Sequence, residues 1–479
     1  MEFETVIGLE IHIELSTKTK MFCGCSNDNF RVEPNRNVCP ICMGFPGQLP
    51  VPNREAVKKG ILAALALNCR ILPHSKFDRK NYFYPDLPSG FQISQYDEPL
   101  SEKGLVEIIL DGKQKTIGIT RLHLENDAGK LMHTANGTLL DFNRAGKPLM
   151  EIVSDPDLRS AEEAREYAET LQKLVRYCGS SDCDMEKGQM RFDASVSIRP
   201  KGDSKLYPRA EIKNLNSFKS LEAAIKCEAS RQVKLWEEGT PQATDQTVGW
   251  NETKQETYLM REKESSSDYR YFPEPDIPPM DISEEEIEKA KKEIPESPVD
   301  LMQRLQSAYG VSEADARYFS GNAQIARLFE EVALATKNPR SAAAFIGTIL
   351  LNHMKESSKS LSEAGITAAH LTELIKLVDS GEISNNAAKS EIFEEMITTK
   401  KLPAQIVKEK GLSQVSDAGE LEAICQKAIE MNPTATADVK AGKVKAMAAI
   451  VGTVMKESHG KANPKMVGTI LEKLLLNLA

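Results

Sequence analysis

The chain lacks several features that would assign it to a common class of protein. No run of about 18 apolar residues occurs, so no segment is predicted to span a membrane. The N-terminus opens with a charged segment where a secretory signal would have an apolar one, and it lacks the Arg-rich, acid-poor composition of a transit peptide. These absences predict a cytoplasmic protein.

Motifs of several enzyme classes are absent as well. The sequence contains no G-x-x-x-x-G-K-[ST] motif and no kinase glycine-rich loop, so any ATP site must be of another type. It also contains no G-x-S-x-G motif, which argues against a hydrolase with that nucleophile. The formal net charge of −9 argues against a protein that coats nucleic acid non-specifically, but it leaves room for local basic patches.

A length of 479 residues is too large for one core and predicts two to four domains. Residues 1–290 mix strand-like and helix-like segments without regular alternation. That pattern favours an α+β fold with a largely antiparallel sheet over a doubly wound parallel sheet. After a Pro-rich stretch at residues 271–279, the pattern becomes helical. We predict a catalytic domain at 1–290, a helical domain at 291–402 and a small helical tail domain at 403–479.

The first predicted strand carries an unusual polar face. Strict alternation in residues 8–14 places Glu10, His12 and Glu14 on one face and apolar residues on the other. Like charges within about 14 Å repel one another, so a positive group is expected among them. A divalent cation or a basic substrate would both serve, and a solvated strand face is the structural alternative.

Three further segments present acids in the same way. His123 and Glu125 share one face of a predicted strand, Glu151 lies within an apolar segment, and Asp193 alternates with apolar residues. If these strands are neighbours in one sheet, they form a carboxylate-lined floor. Oxygen ligands with a single histidine suit Mg²⁺ or Mn²⁺ better than zinc. The positive charge that nucleotide phosphates need could come from four basic residues: Lys80, Arg144, Arg191 and Lys213.

Four cysteines form a C-x-C…C-x-x-C pattern with thirteen residues between the two pairs: Cys23, Cys25, Cys39 and Cys42. The pattern resembles a zinc knuckle or ribbon, in which four thiolates close a tetrahedron around the metal. Such a closed site would be structural, since it leaves no open position for a substrate. Unliganded thiols are the alternative.

Two other groups of residues allow two interpretations each. Lysines between residues 440 and 465 form a candidate surface for a phosphate backbone, although they would equally keep amphipathic helices soluble. The aromatic stretch at residues 269–273 either lines a cleft or packs at a domain boundary, and packing is the preferred interpretation.

The whole chain resembles the B-subunit family of aspartyl/glutamyl-tRNA(Asn/Gln) amidotransferases. The segments that carry the resemblance occur in the family's order: VIGLEIHIEL, FDRKNYFYPDLP, RLHLENDAGK, DFNRAGKPLMEIVSDPD, EIKNLNSF, DYRYFPEPD and GKVKAMAAIVGTVMKESHGKANP. The resemblance implies a glutamine-synthetase-like cradle domain, an all-α helical domain and a small YqeY-like tail domain.

The resemblance also implies an enzymatic role. The family is a ligase component that uses ATP to phosphorylate the side-chain carboxylate of Glu-tRNA(Gln) or Asp-tRNA(Asn). Ammonia, supplied through a channel by the partner glutaminase (the A subunit), then forms the amide. A small third protein (the C subunit) joins the other two into a heterotrimer. Either product, Gln-tRNA(Gln) or Asn-tRNA(Asn), is compatible with the sequence, which identifies neither the adenine pocket nor the ammonia route.

The resemblance assigns roles to particular residues. The divalent-cation site of the family matches His12, Glu125 and Glu151, with Glu10 close by and Asp193 as a weaker member, and the first four are the predicted catalytic residues. The complete cysteine cluster matches the zinc-binding members. The predicted tRNA contacts are Lys443, Lys445, Lys456 and Lys461. The expected cofactors are ATP, Mg²⁺ and structural Zn²⁺.

Two other functions remain as alternatives. One is a non-catalytic tRNA-binding scaffold subunit whose acidic floor is only structural. The other is a free-standing ammonia ligase that acts on glutamate, against which the basic tail and the missing glutaminase nucleophile both argue.

Overall fold

A computed structural model describes residues 2–263, 269–357, 361–412, 418–441, 443–458 and 462–476. The chain divides into two compact units, Met1–Pro298 and Val299–Ala479. The first predicted boundary, at residue 290, lies close to this division, whereas the boundary at 402 stays a prediction. No helix in the described part of the chain combines the length and apolarity needed to cross a bilayer.

The first unit contains the described strands and four helices. In chain order the strands are β1 (Phe3–Glu14), β2 (Arg70–Ile71), β3 (His74–Ser75), β4 (Asp78–Asn81), β5 (Phe91–Ser94), β6 (Ser101–Leu110), β7 (Lys113–Asn126), β8 (Lys130–Thr134), β9 (Gly137–Asp141), β10 (Pro148–Ser154), β11 (Met190–Pro200), β12 (Ala210–Leu215), β13 (Asp245–Asn251), β14 (Glu256–Lys263), β15 (Phe272–Pro273) and β16 (Met280–Asp281). The helices are α1 (Arg54–Ala66), α2 (Ala161–Tyr177), α3 (Phe218–Glu237) and α4 (Glu284–Glu293).

Nine strands form the main sheet, in the order β14-β13-β12-β11-β1-β10-β7-β6-β2. Seven of its eight strand pairs are antiparallel, and only β12 and β13 run parallel. The predicted α+β fold with a largely antiparallel sheet is therefore confirmed. Smaller sheets pair β15 with β4 and β5, β16 with β3, and β8 with β9.

The central strand β1 separates an apolar face of the sheet from a polar one. Its residues Ile7, Leu9, Ile11 and Ile13 are at most 1% exposed and belong to one core with buried residues of α1, α2 and α3. Because side chains alternate along a strand, the intervening Glu10 and His12 lie on the opposite face. The helices cover the apolar face, so the polar face stays open for a site.

Local capping residues set the helix starts. The Asn53 side chain accepts the backbone N–H groups of Glu55 and Ala56 at the start of α1. The Ser160 side chain caps α2 by accepting the backbone N–H of Glu163. The reciprocal half of a capping box does not form, because the Glu163 carboxylate accepts the N–H of Arg159 and pairs with Lys115.

The second unit is helical throughout its described residues. Its helices are α5 (Pro298–Tyr309), α6 (Glu313–Ser320), α7 (Ala323–Thr336), α8 (Pro339–Phe345), α9 (Leu351–Ser357), α10 (Leu361–Ala364), α11 (Ala368–Asp379), α12 (Asn385–Ala387), α13 (Phe393–Thr399), α14 (Pro403–Lys410), α15 (Ala418–Met431), α16 (Pro433–Lys440), α17 (Met447–Glu457) and α18 (Pro464–Leu476). Five-residue π-helical turns at Ile346–Leu350 and Ala388–Ile392 join α8 to α9 and α12 to α13, and a 3₁₀ turn at Val444–Ala446 precedes α17. Buried residues between 421 and 475 form an apolar core of their own.

Candidate functional site

Four neighbouring strands, β11, β1, β10 and β7, bring the predicted acids together. In the strand register, His12 lies opposite Glu151 on one side and Arg191 on the other. Glu10 lies opposite Asp193, and Glu151 lies opposite His123. Directly paired residues share a face of the sheet. The strands that carry these acids are therefore neighbours, and they form the carboxylate-lined floor expected from the sequence.

His12 lies at the centre of this floor. Its Nδ1 is 3.4 Å from Glu125 Oε1 and 3.9 Å from Glu151 Oε2, while its Nε2 is 4.0 Å from Asp193 Oδ2. The donors form two overlapping sets that share His12, one with Glu125 and Glu151 and one with Glu10 and Asp193. Within each set the ligand atoms all lie within 4.8 Å of one another.

The two sets differ in how their carboxylates are already bonded. Asp193 Oδ2 accepts the Lys213 ammonium at 2.7 Å, and its Oδ1 accepts the backbone N–H of Asn214. Glu125 instead accepts the Ser94 hydroxyl at 3.3 Å and faces His12. The set with Glu125 and Glu151 therefore has more lone pairs available for an added ligand than the set with Asp193.

Burial perturbs the ionisation of this cluster. Burial and the nearby Glu151 carboxylate raise the pKa of Glu10. Burial would lower the pKa of His12, but Glu125 and Glu151 outweigh it and raise that pKa. Burial acts to raise the pKa of Glu125, yet the nearby rings of His12 and His123 and the charge of Lys80 hold it well below the usual range. The floor thus concentrates negative charge that calls for a cation.

The donor set fits a hard divalent cation. His12 Nδ1 is buried and has no well-aligned hydrogen-bond partner among the described residues. Together with the carboxylates of Glu125 and Glu151, this nitrogen forms a set of ligand types that Mg²⁺ and Mn²⁺ accept. His123, 2% exposed, lies behind the carboxylates with its Nε2 3.5 Å from Glu151 Oε2, so it orients a ligand rather than facing the open side.

A cavity of about 850 Å³ lies above the floor. Six carboxylates and seven lysines or arginines line it, together with His12, tyrosines, amides and one alanine. The acids are Glu10, Glu125, Asp127, Glu151, Asp193 and Glu211, and the bases are Lys80, Arg121, Arg144, Arg191, Arg209, Lys213 and Arg261. A cavity with both charges suits a ligand that brings its own metal and phosphates.

The four bases predicted for phosphate binding all line this cavity, but they differ in their partners. Arg191 and Arg144 both reach Asp127, at 3.1 and 3.4 Å, and Lys213 is bound by Asp193. Lys80 has no described carboxylate within 4.0 Å, and its ammonium lies 5.0 Å from the centre of the Tyr269 ring. Lys80 is therefore the predicted base most available to a ligand.

Two tyrosines of the aromatic stretch at residues 269–273 line the cavity, which favours the cleft-lining interpretation for them over the preferred one of packing at a domain boundary. Tyr269 and Tyr271 belong to the wall, and Tyr271 stacks on Tyr96 with ring centres 4.4 Å apart. Burial raises the pKa of Tyr271 to about 12, so this hydroxyl stays protonated and can donate a hydrogen bond.

Sequence reasoning missed several cavity residues. Asp127 continues the alternation that places Glu125 on the polar face, so this signal could have identified it. Burial would raise the pKa of Asp127, but Arg191 and Arg144 lower it and keep the group ionised. Arg209 and Arg261 lie in segments without a comparable pattern, and only the tertiary structure brings them into the wall.

A second cavity of about 260 Å³ adjoins the first and shares Glu10 and Arg209 with it. Its other lining residues are small, apolar or hydroxyl-bearing, and they include Gly8, Ser195 and Leu206. Gly8 lies opposite Ser195 in the sheet, two residues along β1 from Glu10. The second cavity therefore continues the polar face away from the acidic cluster.

The four predicted cysteines converge in the loop after β1. All four sulfur atoms lie within 4.8 Å of one another, and none of the described cysteines forms a disulfide. A hydrogen bond from Cys23 lowers the pKa of the Cys42 thiol to about 5, and Lys20 acts in the same direction. Four converging thiols, one of which has a lowered pKa, fit the tetrahedral thiolate coordination of zinc.

The predicted tRNA-contacting lysines are only partly described. Lys443, Lys445 and Lys456 are exposed, and Lys443 pairs with Asp438 at 2.9 Å. Lys461 lies outside the described residues. Their role stays a prediction.

Comparison with known proteins covers both units. Residues 5–288 match the family described as the GatB/GatE catalytic domain, and residues 327–475 match the one described as the GatB domain. Proteins named as the B subunit of aspartyl/glutamyl-tRNA(Asn/Gln) amidotransferase are similar over the full length. The one from Carboxydothermus hydrogenoformans is 48% identical over 482 residues and 100% of both chains. The one from Thermotoga maritima is 47% identical over 481 residues and 99% of both chains.

Proposed function

The chain belongs to the family of aspartyl/glutamyl-tRNA(Asn/Gln) amidotransferase B subunits, and we propose that its acidic cavity is where ATP activates the aminoacyl-tRNA. Its function is that of one component of a tRNA-dependent, glutamine-hydrolysing ligase. The observation that carries the proposal is the convergence of His12, Glu125 and Glu151 with Lys80 in one cavity.

The reaction joins two steps. A side-chain carboxylate is a poor electrophile, so its oxygen first attacks the γ-phosphorus of ATP, forming an acyl phosphate and releasing ADP. Ammonia then attacks the acyl carbon, inorganic phosphate leaves, and a proton is lost to give the amide. A bound Mg²⁺ would be held by His12, Glu125 and Glu151, and it supplies charge neutralisation for the phosphates.

The chain's own residues have separate tasks in this scheme. Lys80 binds the phosphates, because it has no described carboxylate within 4.0 Å to compete for it. Arg191 and Arg144 hold Asp127 in place and line the cavity. Arg144 also donates to the backbone carbonyls of Ala128 and Gly129, so Arg191 has more N–H groups left to donate to oxygen atoms of the substrate. His123 positions Glu151 from behind.

The second cavity suits the base of the nucleotide. At about 3.4 Å per residue, Gly8 lies about 14 Å from His12 along β1, which leaves room for phosphates and ribose between them. Apolar and hydroxyl side chains around Gly8 and Leu206 suit an aromatic ring with polar edges. The shared Arg209 lies between the two cavities.

The remaining sequence predictions complete the proposal. The cysteine cluster holds a structural zinc ion, and the exposed tail lysines contact the tRNA backbone. The first unit forms a glutamine-synthetase-like cradle that binds the glutaminase (the A subunit) and the small C subunit, while the tail is YqeY-like. Both Gln-tRNA(Gln) and Asn-tRNA(Asn) remain possible products, and the cytoplasmic location stays a prediction.

A transamidation assay of the purified heterotrimer tests the proposal. Mischarged Glu-tRNA(Gln) and Asp-tRNA(Asn) are each supplied with ATP and glutamine, with and without EDTA, and ADP, amide and glutamate are measured. Metal removal should abolish ADP and amide formation, and added Mg²⁺ should restore both. Glu125→Gln should abolish ADP and amide formation even when Mg²⁺ is added, while the affinity for tRNA stays unchanged.

The matched control is Glu107→Gln, an exposed glutamate on β6 of the same sheet. It should leave turnover unaltered. If Glu125→Gln retains wild-type turnover, the acidic floor is only structural, and the non-catalytic scaffold becomes the better interpretation. Amidation of free glutamate without tRNA would instead favour the ammonia ligase.

A further inference from the structure

Lys20 is completely buried (0% exposed), at the point where the chain enters the cysteine loop. Its stem passes Gly146, whose missing side chain makes the space. A Cβ at Gly146 would lie 3.5 Å from Lys20 Cδ and 3.3 Å from Cys42 Cβ. A lysine is rarely buried to this extent unless its ammonium has a partner of opposite charge. The question is which group supplies that charge.

The three N–H donors of the ammonium have three acceptors. Nζ donates to Asn37 O at 2.7 Å, to Phe142 O at 3.4 Å and to Cys42 Sγ at 3.6 Å. Within the described residues no carboxylate oxygen lies within 4.0 Å of Nζ. The two carbonyl groups are neutral. The sulfur of Cys42 is therefore the only one of the three acceptors that can carry a negative charge.

The charge balance depends on the state of the cysteines. Four neutral thiols would leave the buried ammonium without compensation, which is unfavourable in a low-dielectric interior. Four thiolates around one divalent cation carry a net charge of −2, and the ammonium reduces this to −1. The charge of Lys20 and the charge of the metal-loaded cluster are therefore each better compensated when the two lie together.

We propose that Lys20 is the built-in counter-ion of a metal-loaded cysteine cluster, hydrogen-bonded to the Cys42 thiolate. Its fixed positive charge favours binding of the metal by the thiolates. Lys20 acts through Cys42 and does not touch the metal, so it is a positioning residue. The inference rests on the proposed zinc site and is independent of the chemistry in the acidic cavity.

The experiment compares Lys20→Met with the wild-type heterotrimer. Methionine keeps most of the stem volume and removes the charge and the donors. Zn²⁺ affinity is measured by competition with a chromophoric chelator, and thermal unfolding is followed with and without Zn²⁺. The matched control is Lys18→Met, because Lys18 lies two residues away and is exposed.

Lys20→Met should weaken Zn²⁺ binding about 10- to 100-fold, the range typical of lost outer-shell partners, while Lys18→Met should not change it. Zn²⁺ should also raise the unfolding temperature of Lys20→Met by less than it raises that of the wild type, because the variant lacks the counter-ion of the loaded cluster. A purely structural lysine would instead lower both unfolding temperatures equally, and that result would overturn the proposal.

Two further outcomes are informative. Wild-type affinity for Zn²⁺ in the Lys20→Met variant would refute the inference and leave the zinc site intact. Failure of the wild type itself to bind Zn²⁺ would refute the proposed zinc site. If Lys20→Met does not fold, Lys20→Gln replaces it, since glutamine keeps two N–H donors and lacks the charge. The same loss of affinity is then expected.

Discussion

The two units of the chain bury different kinds of side chain. The described residues of the first unit include nine buried carboxylates and the buried Lys20. In the described residues of the second unit, the buried polar side chains are Ser320, His370 and Ser458, and none of them is a carboxylate, lysine or arginine. The first unit therefore accepts unfavourable burial of charge, and the second is built mainly from apolar contacts.

Secondary structure explains how the first unit accommodates this charge. Strand alternation gives β1 an apolar face, covered by helices, and a polar face with Glu10 and His12, so one strand serves core and site at once. Each buried acid then needs a partner, as Asp127 has in Arg191. The acidic floor therefore sacrifices stability for chemistry, whereas the described core of the helical unit buries no carboxylate, lysine or arginine.

The sharpest test of this contrast is Glu151→Gln. Removing a proposed metal ligand should lower transamidation about 10³-fold, because metal stabilisation of the transition state is worth several kcal/mol. Unfolding free energy, measured in urea without Mg²⁺, should stay unchanged or rise, since like charges at Glu10 and Glu125 are relieved. Reduced stability with intact activity would show that Glu151 is a structural residue and not a metal ligand. Glu107→Gln serves as the control here too.

The opposite result is expected from Leu371→Ala in the second unit. Leu371 of α11 is completely buried, so the truncation should lower the local unfolding free energy by about 3 kcal/mol through lost burial and a cavity. Native-state hydrogen exchange of the α11 amides measures this loss. Phosphorylation per folded molecule should not change. Leu334→Ala, at a position that is 68% exposed, should have little effect on either quantity.

Local pattern was sufficient to predict much of the first unit. The residues of β1 and β7 that alternate with apolar neighbours are the ones found on the polar face, because burial of one face fixes which residues face the other way. The helix α1 and the N-cap Ser160 of α2 follow from equally local rules. The resemblance to a family then suggested roles for the same residues, which the geometry brings together.

Pairing between distant residues was not predictable in this way. Nothing near Arg191 or Arg144 in the sequence indicates that both reach Asp127, because the contact depends on strand order across the sheet. The same order leaves Lys80 without a described carboxylate within 4.0 Å, although the sequence ranked all four bases alike. Partner choice is a tertiary property, and the chemistry of the cavity depends on it.

Lys80→Met tests whether this base, which has no carboxylate partner among the described residues, matters more than its neighbours. A hydrogen bond from a charged donor is worth about 1.5–3 kcal/mol, so ATP should bind about 10- to 100-fold more weakly. Binding of a non-hydrolysable ATP analogue to the heterotrimer measures this change. The control is Lys76→Met, because Lys76 lies outside the cavity and pairs with Asp97. Equal effects of the two substitutions would show that Lys80 has no special access to the phosphates.

The smallest effect is expected in the second unit, at exposed charges. Lys445 and Lys456 have no described carboxylate within 4.0 Å, whereas Lys427 pairs with Glu457 at 2.6 Å. Replacing Lys445 or Lys456 by alanine should weaken tRNA binding only a few-fold and reduce the slope of log affinity against log salt by about 0.7–0.9 for each lost phosphate contact. Filter binding between about 50 and 200 mM salt measures the slope. Lys427→Ala should leave it unchanged, and an equal effect of all three substitutions would indicate a diffuse field in place of defined contacts.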